Sequence, residues 1–341
     1  MKKLLLASTA LVMSAGVAAA DVTVGGDGRM GLIYNGDDVQ FTSRVRVSFT
    51  LSGETDAGMA FGGSIRADNA PGGTRGTAGN VFVSGDFGKL SMGDVDGAAL
   101  KAVGDLFFGS LTGLGDRQEM AYLSRSVSDD ASTINVLIDD TILGILGTSN
   151  RPRALYEYSF DGFGIFVSID NPAVQRDADG NREISLRNVA IGASYTFDGF
   201  TGGIGYEDLR FKFEGDDDIS AKHLIASAMY EFDGFAVKAI AGRVGGDVGT
   251  LLNDTPGASR DQYGLSVRGT FDEVTVTAFA NRNFFTTDYG IGAAYDLGGG
   301  AALTGGIVRR GSSSNNLVNL NGDDVSFGSR TQADFGLTFR F

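Results

Sequence analysis

Six residues recur almost unchanged three times in this chain, as Tyr158-Ser-Phe-Asp-Gly-Phe163, Tyr195-Thr-Phe-Asp-Gly-Phe200 and Tyr230-Glu-Phe-Asp-Gly-Phe235. An Asp-Gly pair between runs of alternating apolar and polar residues is the strongest local sequence for a tight β-hairpin, because both central residues of that turn need positive φ. Looser copies follow at Thr270-Phe-Asp-Glu-Val274 and Tyr295-Asp-Leu-Gly-Gly299. The chain is therefore predicted to be a series of hairpins. Aromatic residues brace both sides of each turn, where a barrel in a membrane places its interfacial girdle, so the repeat points to lipid.

Residues 1–20 carry Lys2 and Lys3, an apolar run from Leu4 to Val12, and Val17-Ala-Ala-Ala20. A basic start, a short apolar middle and a small-residue cleavage site describe a secretory signal, too short in its apolar part to anchor as a helix. The mature chain is expected to begin at Asp21, and 21–341 to form a single barrel domain. Losing the signal removes two lysines from a chain whose formal charge is already −14. So negative a chain lacks the basic face a nucleic-acid partner needs. There is no cysteine, so backbone pairing and burial must supply the stability in an exported compartment. Beyond the signal no run of 18 apolar residues exists, which excludes helical membrane spans. A membrane barrel escapes that test because only alternate residues face lipid.

The strands read by parity. Phe41, Val45, Val47, Phe49 and Leu51 fall on one face of a strand, Arg44, Arg46, Ser48, Thr50 and Ser52 on the other. One face is hydrocarbon and the other polar or charged, as expected between two unlike environments. The split repeats with Met59, Phe61, Ile65 and Ala67 against Ser64, Arg66 and Asp68, and with Val22, Val24, Met30, Leu32 and Tyr34 against Asp27 and Arg29. It is most regular in the second half, ending on Ala333, Phe335, Leu337, Phe339 and Phe341. Sixteen such strands can be counted. The expected fold is all-β: a 16-stranded antiparallel transmembrane barrel, with both termini on one side as an even strand number requires. Its connections alternate between tight turns and longer polar stretches, and in such barrels the short turns face the periplasm. A soluble β-sandwich also alternates, but its polar face should be rich in lysine and glutamate. Here that face is Ser, Thr, Gly, Asn and Arg.

One connection is out of scale. Residues 94–152 separate the strands Lys89–Gly93 and Arg153–Phe160, and a loop of that length is functional or disordered. It contains Gly104-Asp-Leu-Phe-Phe-Gly-Ser-Leu-Thr-Gly-Leu-Gly-Asp-Arg117, half apolar and rich in glycine. Folding it inward would bury its apolar side and narrow the lumen that sixteen strands enclose.

These residues resemble the general diffusion porins of the Gram-negative outer membrane, in the alpha-proteobacterial branch. The resemblance covers the whole mature chain. It is carried by Arg29-Met-Gly-Leu-Ile-Tyr-Asn-Gly-Asp-Asp38, Phe41-Thr-Ser-Arg44, Gly104-Asp-Leu106 with Gly115-Asp-Arg117, Tyr289–Gly300 and the terminal Phe341. It implies a 16-stranded homotrimer in outer-membrane lipid and lipopolysaccharide, with the third loop folded into each barrel as a constriction. It also implies that the terminal aromatic strand is read by the outer-membrane assembly machinery. Acidic residues on the loop then face arginines on the wall; the matching positions are Asp105 and Asp116, with Glu119 nearby, and Arg29, Arg44, Arg46 and Arg66. Opposite charges held apart there would orient dipolar solutes and penalise greasy ones. Alternatively the arginines pair with carboxylates simply to fill the wall. The chain departs from the family pattern at Ile134–Ile138 and Thr141–Leu146, two extra apolar clusters in the loop.

Catalytic chemistry is missing. His223 is the single histidine, and its parity puts it on the lumen side, not beside a serine on a lipid-facing rim as an outer-membrane lipase needs. Acidic clusters at Asp37-Asp38, Asp216-Asp-Asp218 and Asp323-Asp324 offer oxygen ligands without EF-hand spacing, so the cofactor expectation is none beyond weak calcium at these loops. The expected function is passive, water-filled passage of small hydrophilic solutes and ions. Two alternatives are a channel with a weak site for one solute, and a structural or adhesive barrel whose lumen is plugged.

Overall fold

In the computed structural model the described residues are 21–69, 79–124, 153–170, 173–176, 182–213, 218–254, 258–318 and 324–341. The expected signal segment 1–20 and the apolar clusters at 134–138 and 141–146 lie outside them. In chain order the elements are β1 (Asp21–Tyr34), β2 (Val39–Glu54), β3 (Ala60–Asn69), β4 (Gly79–Gly85), β5 (Gly88–Gly93), α1 (Ala98–Val103), β6 (Arg153–Phe160), β7 (Phe163–Asp170), β8 (Ala173–Arg176), β9 (Arg182–Phe197), β10 (Phe200–Phe213), β11 (Ile219–Phe232) and β12 (Phe235–Gly245). They continue with α2 (Gly246–Asp254), β13 (Asp261–Phe271), β14 (Val274–Asn283), β15 (Thr286–Gly298), β16 (Ala301–Arg310), β17 (Ser313–Val318), β18 (Asp324–Phe327) and β19 (Arg330–Arg340).

Strands follow one another around the sheet in chain order, and β1 pairs with both β2 and β19, so the sheet closes on itself. Every pairing is antiparallel. β7 and β8 pair with successive stretches of β9 and make one interrupted stave, so the seventeen strands of the sheet form sixteen staves. The hairpin β17–β18 stands apart, in the connection between β16 and β19. Closure leaves no open edge, which a sheet in hydrocarbon requires because nothing there can satisfy an unpaired amide.

The repeated hexapeptides fold as their turn residues dictate. Asp161, Asp198 and Asp233 have φ of 44°, 47° and 44°, and the glycines after them 81°, 76° and 82°. These are the paired left-handed conformations of the hairpin turn, and Phe160 faces Phe163, Phe197 faces Phe200, and Phe232 faces Phe235 across them. Where Glu273 replaces the glycine, Asp272 alone of the pair keeps positive φ. The rings form a nearly continuous girdle, with centroids 5.4 Å apart for Phe160 and Phe163, 4.3 Å for Phe163 and Tyr195, and 5.3 Å for Phe235 and Phe271. Because a β-carbon on Gly199 would meet the Glu231 carbonyl at 2.5 Å, Gly199→Ala should cost about 1–3 kcal/mol. Gly298→Ala, at similar φ but with open space around it, should cost less. Thermal melting of the refolded barrel, followed by its heat-dependent shift in gel migration, separates the two.

The large exposed hydrophobics fall on the parity predicted to face lipid: Val45, Phe49, Ile165, Ile191, Leu224, Leu265, Ile291 and Phe335 are all outward. Along β11 this band runs from Leu224 to Phe232, about 27 Å along the strand and about 20 Å along the axis at a tilt near 40°. Among the described residues there is no sheet-on-sheet core. Its largest buried cluster joins the long loop to the inner wall: Leu100, Val103, Leu106, Leu114, Met120 and Tyr122 pack on Ile225, Ile240, Phe279 and Val308. A second cluster, toward the end that bears the longer connections, seats Leu252 of α2 with Leu209, Phe211, Val244, Phe284 and Phe285. Asp247 of α2 accepts hydrogen bonds from the Ser220 amide and hydroxyl, which hold its carboxyl below the ordinary range.

Candidate functional site

Alternation puts Ser, Thr, Asn and charged side chains on the inside of the cylinder, and those side chains read the main chain of the long loop. α1 lies against β7, β9 and β10, with the Ala98 amide donating to Ser168 Oγ at 2.9 Å. Its alanines sit where Gly192, Gly203 and Gly205 have no side chain; a β-carbon on those glycines would strike Ala98, Ala102 and Ala99. From Gly104 the loop runs extended across the wall, and every second amide finds a partner on it. The Phe107 amide donates to Ser266 Oγ at 2.9 Å, the Gly109 amide to Thr277 Oγ1 at 2.9 Å, and the Leu111 amide to Asp334 at 3.1 Å. Asp334 also accepts from the Thr112 amide and hydroxyl at 2.6 and 2.7 Å.

After the Asp116 turn the chain returns along the same wall. Asn281 donates to the Arg117 carbonyl at 2.7 Å and Asn283 to the Glu119 carbonyl at 2.7 Å. Gln262 both accepts from the Ala121 amide and donates to its carbonyl, each at 2.9 Å. Glu207, with no exposure at all, accepts from the amides of Leu123 and Ser124 at 2.9 Å and from the Ser124 hydroxyl. Its second oxygen meets His223 Nδ1 at 2.7 Å, and His223 Nε2 lies 2.6 Å from the Gln262 amide. That pattern assigns Nδ1 the proton and leaves Nε2 as acceptor. Glu207, His223 and Gln262 therefore form a buried latch that holds residues 121–124 against β10, β11 and β13.

The four arginines expected on the wall do share the inner face of β1, β2 and β3. Arg29 lies opposite Arg44, Asp27 opposite Arg46, and Ser48 opposite Arg66. Arg44 pairs with Asp27 at 2.5 Å, and Arg46 with the same carboxylate at 3.7 Å. Arg29 donates to the Leu111 carbonyl at 3.3 Å, so the wall cluster touches the loop where Asp334 pins it. The loop acids are dispersed. Asp105 accepts from the Met120 amide at 2.9 Å and acts on the charge of Lys238, whose Nζ lies over Gly104. Asp116 shapes its own turn, with its amide bonded to the Gly113 carbonyl at 3.0 Å. Glu119 sits beside Asn281 and Asn283. Asp27 and Asp334 are the carboxylates that sequence reading missed as site residues, along with Lys238 and Arg268; Arg268 stacks on Phe107 at 4.6 Å and pairs with Glu231 at 2.5 Å. Their polar-face parity was the available signal. Of the acidic connections, Asp37 pairs with Arg330 and Asp218 with Lys212, while Asp216, Asp217 and Asp323 lie outside the described residues. Among the described residues no three His, Asp or Glu side chains are grouped to hold a metal ion.

A closed sixteen-stave cylinder, apolar outside and polar within, with one long loop bound along its inner wall, is the architecture of an outer-membrane channel. Residues 7–316 match the pattern of the Gram-negative porin family. A porin of Rhodobacter capsulatus is 35% identical over 337 residues, covering 94% of this chain and all of the relative; one of Fuscovulum blasticum is 26% identical with the same coverage. A porin structure refined at 1.8 Å superposes with a TM-score of 0.69 at 32% identity over 94% of this chain. Mutants of Rh. blastica porin superpose at 0.60 and 21% identity, which supports the fold alone. The chain belongs to the Gram-negative porin family. It is a multi-pass β-barrel of the outer membrane and forms a water-filled channel.

Proposed function

We propose that small hydrophilic solutes and ions cross this channel by passive diffusion, past a constriction that residues 94–152 build inside the barrel. What supports this reading is the ladder of inner side chains from Ser168 to Asp334 that holds residues 98–124 against the inner wall, while Arg44 and Arg46 lie on the inward parity of β2. Passing solutes then meet guanidinium groups on one side and the loop, with Asp105, Asp116 and Glu119, on the other. The resulting transverse field favours dipolar and charged solutes over apolar ones. No catalysis is assigned: both ring nitrogens of His223 are engaged and the ring is fully buried. Residues 1–20 are read as a cleaved export signal, and the mature chain as a homotrimer whose apolar outer faces meet lipid and neighbouring barrels.

Planar-bilayer recording tests the channel. Purified protein should insert in uniform steps of water-filled size, with ohmic current up to molar salt. Absence of open steps, or current that saturates at low salt, would contradict free diffusion. In unheated detergent gels the protein should migrate as an oligomer that dissociates on heating.

A further inference from the structure

Like charges directly opposite one another on neighbouring strands destabilise a sheet, yet two arginines stand in that relation at the pore mouth. Arg310 at the end of β16 lies opposite Arg330 at the start of β19, and both have inward parity. Arg117 of the long loop also acts on the charge of Arg310, and Asp288, opposite Arg310 on β15, is the carboxylate that opposes them. Three guanidinium groups thus crowd one carboxylate in a chain whose net charge is −14. Where a sequence breaks a local rule in this way, function is the usual compensation. The group stands at the end with the longer connections, which faces away from the periplasm.

A cavity of about 410 Å³ opens among the ends of β1, β16 and β19, lined by Tyr34, Asp37, Arg309, Arg310 and Arg330 with the rim at Ser329. Its arginines are held in place by their neighbours. Arg309 donates to the hydroxyls of Thr331 at 2.9 Å and Ser329 at 3.4 Å, Arg310 to the Gly328 carbonyl at 3.0 Å, and Arg330 to Asp37. The Arg330 chain lies over Gly36, whose φ of 110° and missing side chain leave room for it. Among the described residues these contacts use two of the five N–H donors of Arg309 and one of those of Arg330, so both guanidinium groups keep donors for a ligand. Asp37 is the one carboxylate among the described residues of the lining, and Tyr34, whose hydroxyl donates to the Gly36 carbonyl at 2.8 Å, is its aromatic member.

We propose that this cavity is a binding site for small organic dianions, dicarboxylates above all, which it holds at the mouth before they enter the channel. Arg117, Arg309, Arg310 and Arg330 face two carboxylates, Asp37 and Asp288, and a dianion cancels the difference. A planar carboxylate matches a guanidinium fork through two parallel hydrogen bonds, and the forks of Arg309 and Arg330 come from different strands, one for each end of the solute. A single tetrahedral ion engages one fork and leaves the rest of the cavity, with Tyr34, unfilled. The inference rests on the diffusion reading given above and adds a holding point to it. Arg117 belongs to the long loop, so a solute released from Arg310 next meets the loop.

Titration calorimetry on the full-length protein in detergent tests the site, with succinate, acetate and inorganic phosphate as probes at about 0.1 M salt, where charges within about 10 Å still act. Succinate should give saturable heat and bind about tenfold more tightly than acetate or phosphate, a difference of ~1.4 kcal/mol. Arg309→Gln with Arg330→Gln should abolish that preference. Asp37→Asn removes the carboxylate that competes for Arg330, and should tighten succinate about threefold, the worth of an exposed ion pair. The turn around it stays intact, because Asn35 Oδ1 accepts from the amides of Asp37 and Asp38 at 2.9 and 3.0 Å. No saturable heat with succinate, acetate or phosphate bound as tightly as succinate, or an Asp37→Asn variant that binds succinate no more tightly than wild type would each overturn the site. The Asn variant and the comparison of probes on the wild type decide even where the double variant does not assemble. Saturable succinate binding by a protein that shows no open steps in potassium chloride would support the site and contradict diffusion alone.

Discussion

Glu207→Ala should release the constriction loop and leave the barrel closed. The carboxylate accepts hydrogen bonds from Leu123, twice from Ser124, and from His223, all shielded from water. Hydrogen bonds to a charged group contribute about 1.5–3 kcal/mol each, and each buried donor left without its acceptor costs about 1–3 kcal/mol. Gln262 and Asn188 also hold residues 121–124, as do the buried Tyr122 ring and the Gly97 amide on the Ser124 carbonyl, but Gln262 itself leans on His223. Without the carboxylate the returning leg of the loop loses its register on β10 and β13. Single channels should then show larger and noisier steps, and trypsin added from outside should cut after Arg117, a bond the wild type protects. Glu207→Gln, which keeps the shape but puts an amide among donors, should fall between. An alanine variant with wild-type steps and full protease resistance would show that the latch does not hold the loop.

The second large effect concerns ions. Arg44→Ala with Arg46→Ala removes two positive charges from the inner wall and leaves Asp27 without its two guanidinium partners. A unit charge 7 Å from a passing ion in water contributes about 0.6 kcal/mol, a factor of about three in local concentration and of opposite sense for cations and anions. Screening at 0.1 M, where the Debye length is about 10 Å, roughly halves each contribution, so the cation-to-anion permeability ratio should rise roughly three- to tenfold, read as a shift of reversal potential under a salt gradient near 0.1 M. In molar salt, where the screening length is about 3 Å, the shift should shrink. The rim variant Arg330→Ala, close to Asp37 at the mouth, should move the potential far less. An unchanged ratio at low salt would place the arginines outside the ion path and leave them as structural fillers of the wall.

Much of the barrel was legible because its rules are local. Asp-Gly fixes a two-residue turn through φ alone, and the side-chain period of two assigns every strand residue to lipid or lumen. Hence the bounds of β6, the turns at Asp161, Asp198 and Asp233, and the sixteen staves follow from the residues themselves. The interruption between β7 and β8 did not, because nothing in the sequence around Asn171 distinguishes a broken stave from a loop. The seat of the long loop was legible in principle. Ile225, Ile240, Phe279 and Val308 are apolar on the polar parity, which makes sense only beneath a covering segment. The anchors themselves pair residues 70 to 223 positions apart, such as Ala98 with Ser168 and Leu111 with Asp334, and no periodicity encodes such a match. His223 was correctly assigned to the lumen side, but its partner Glu207 looks in sequence like any other inward carboxylate.

Sidedness is the claim beneath all the others, and spin labels test it most directly. Single cysteines at Val47, Leu265 and Phe335 should carry labels reached by oxygen dissolved in the bilayer and shielded from a water-soluble relaxation agent. Labels at Ser48, Thr50 and Thr338 should show the reverse. Labels at Val47, Leu265 and Phe335 that answer to the aqueous agent, with Ser48, Thr50 and Thr338 answering to oxygen, would turn the barrel inside out and contradict a water-filled channel.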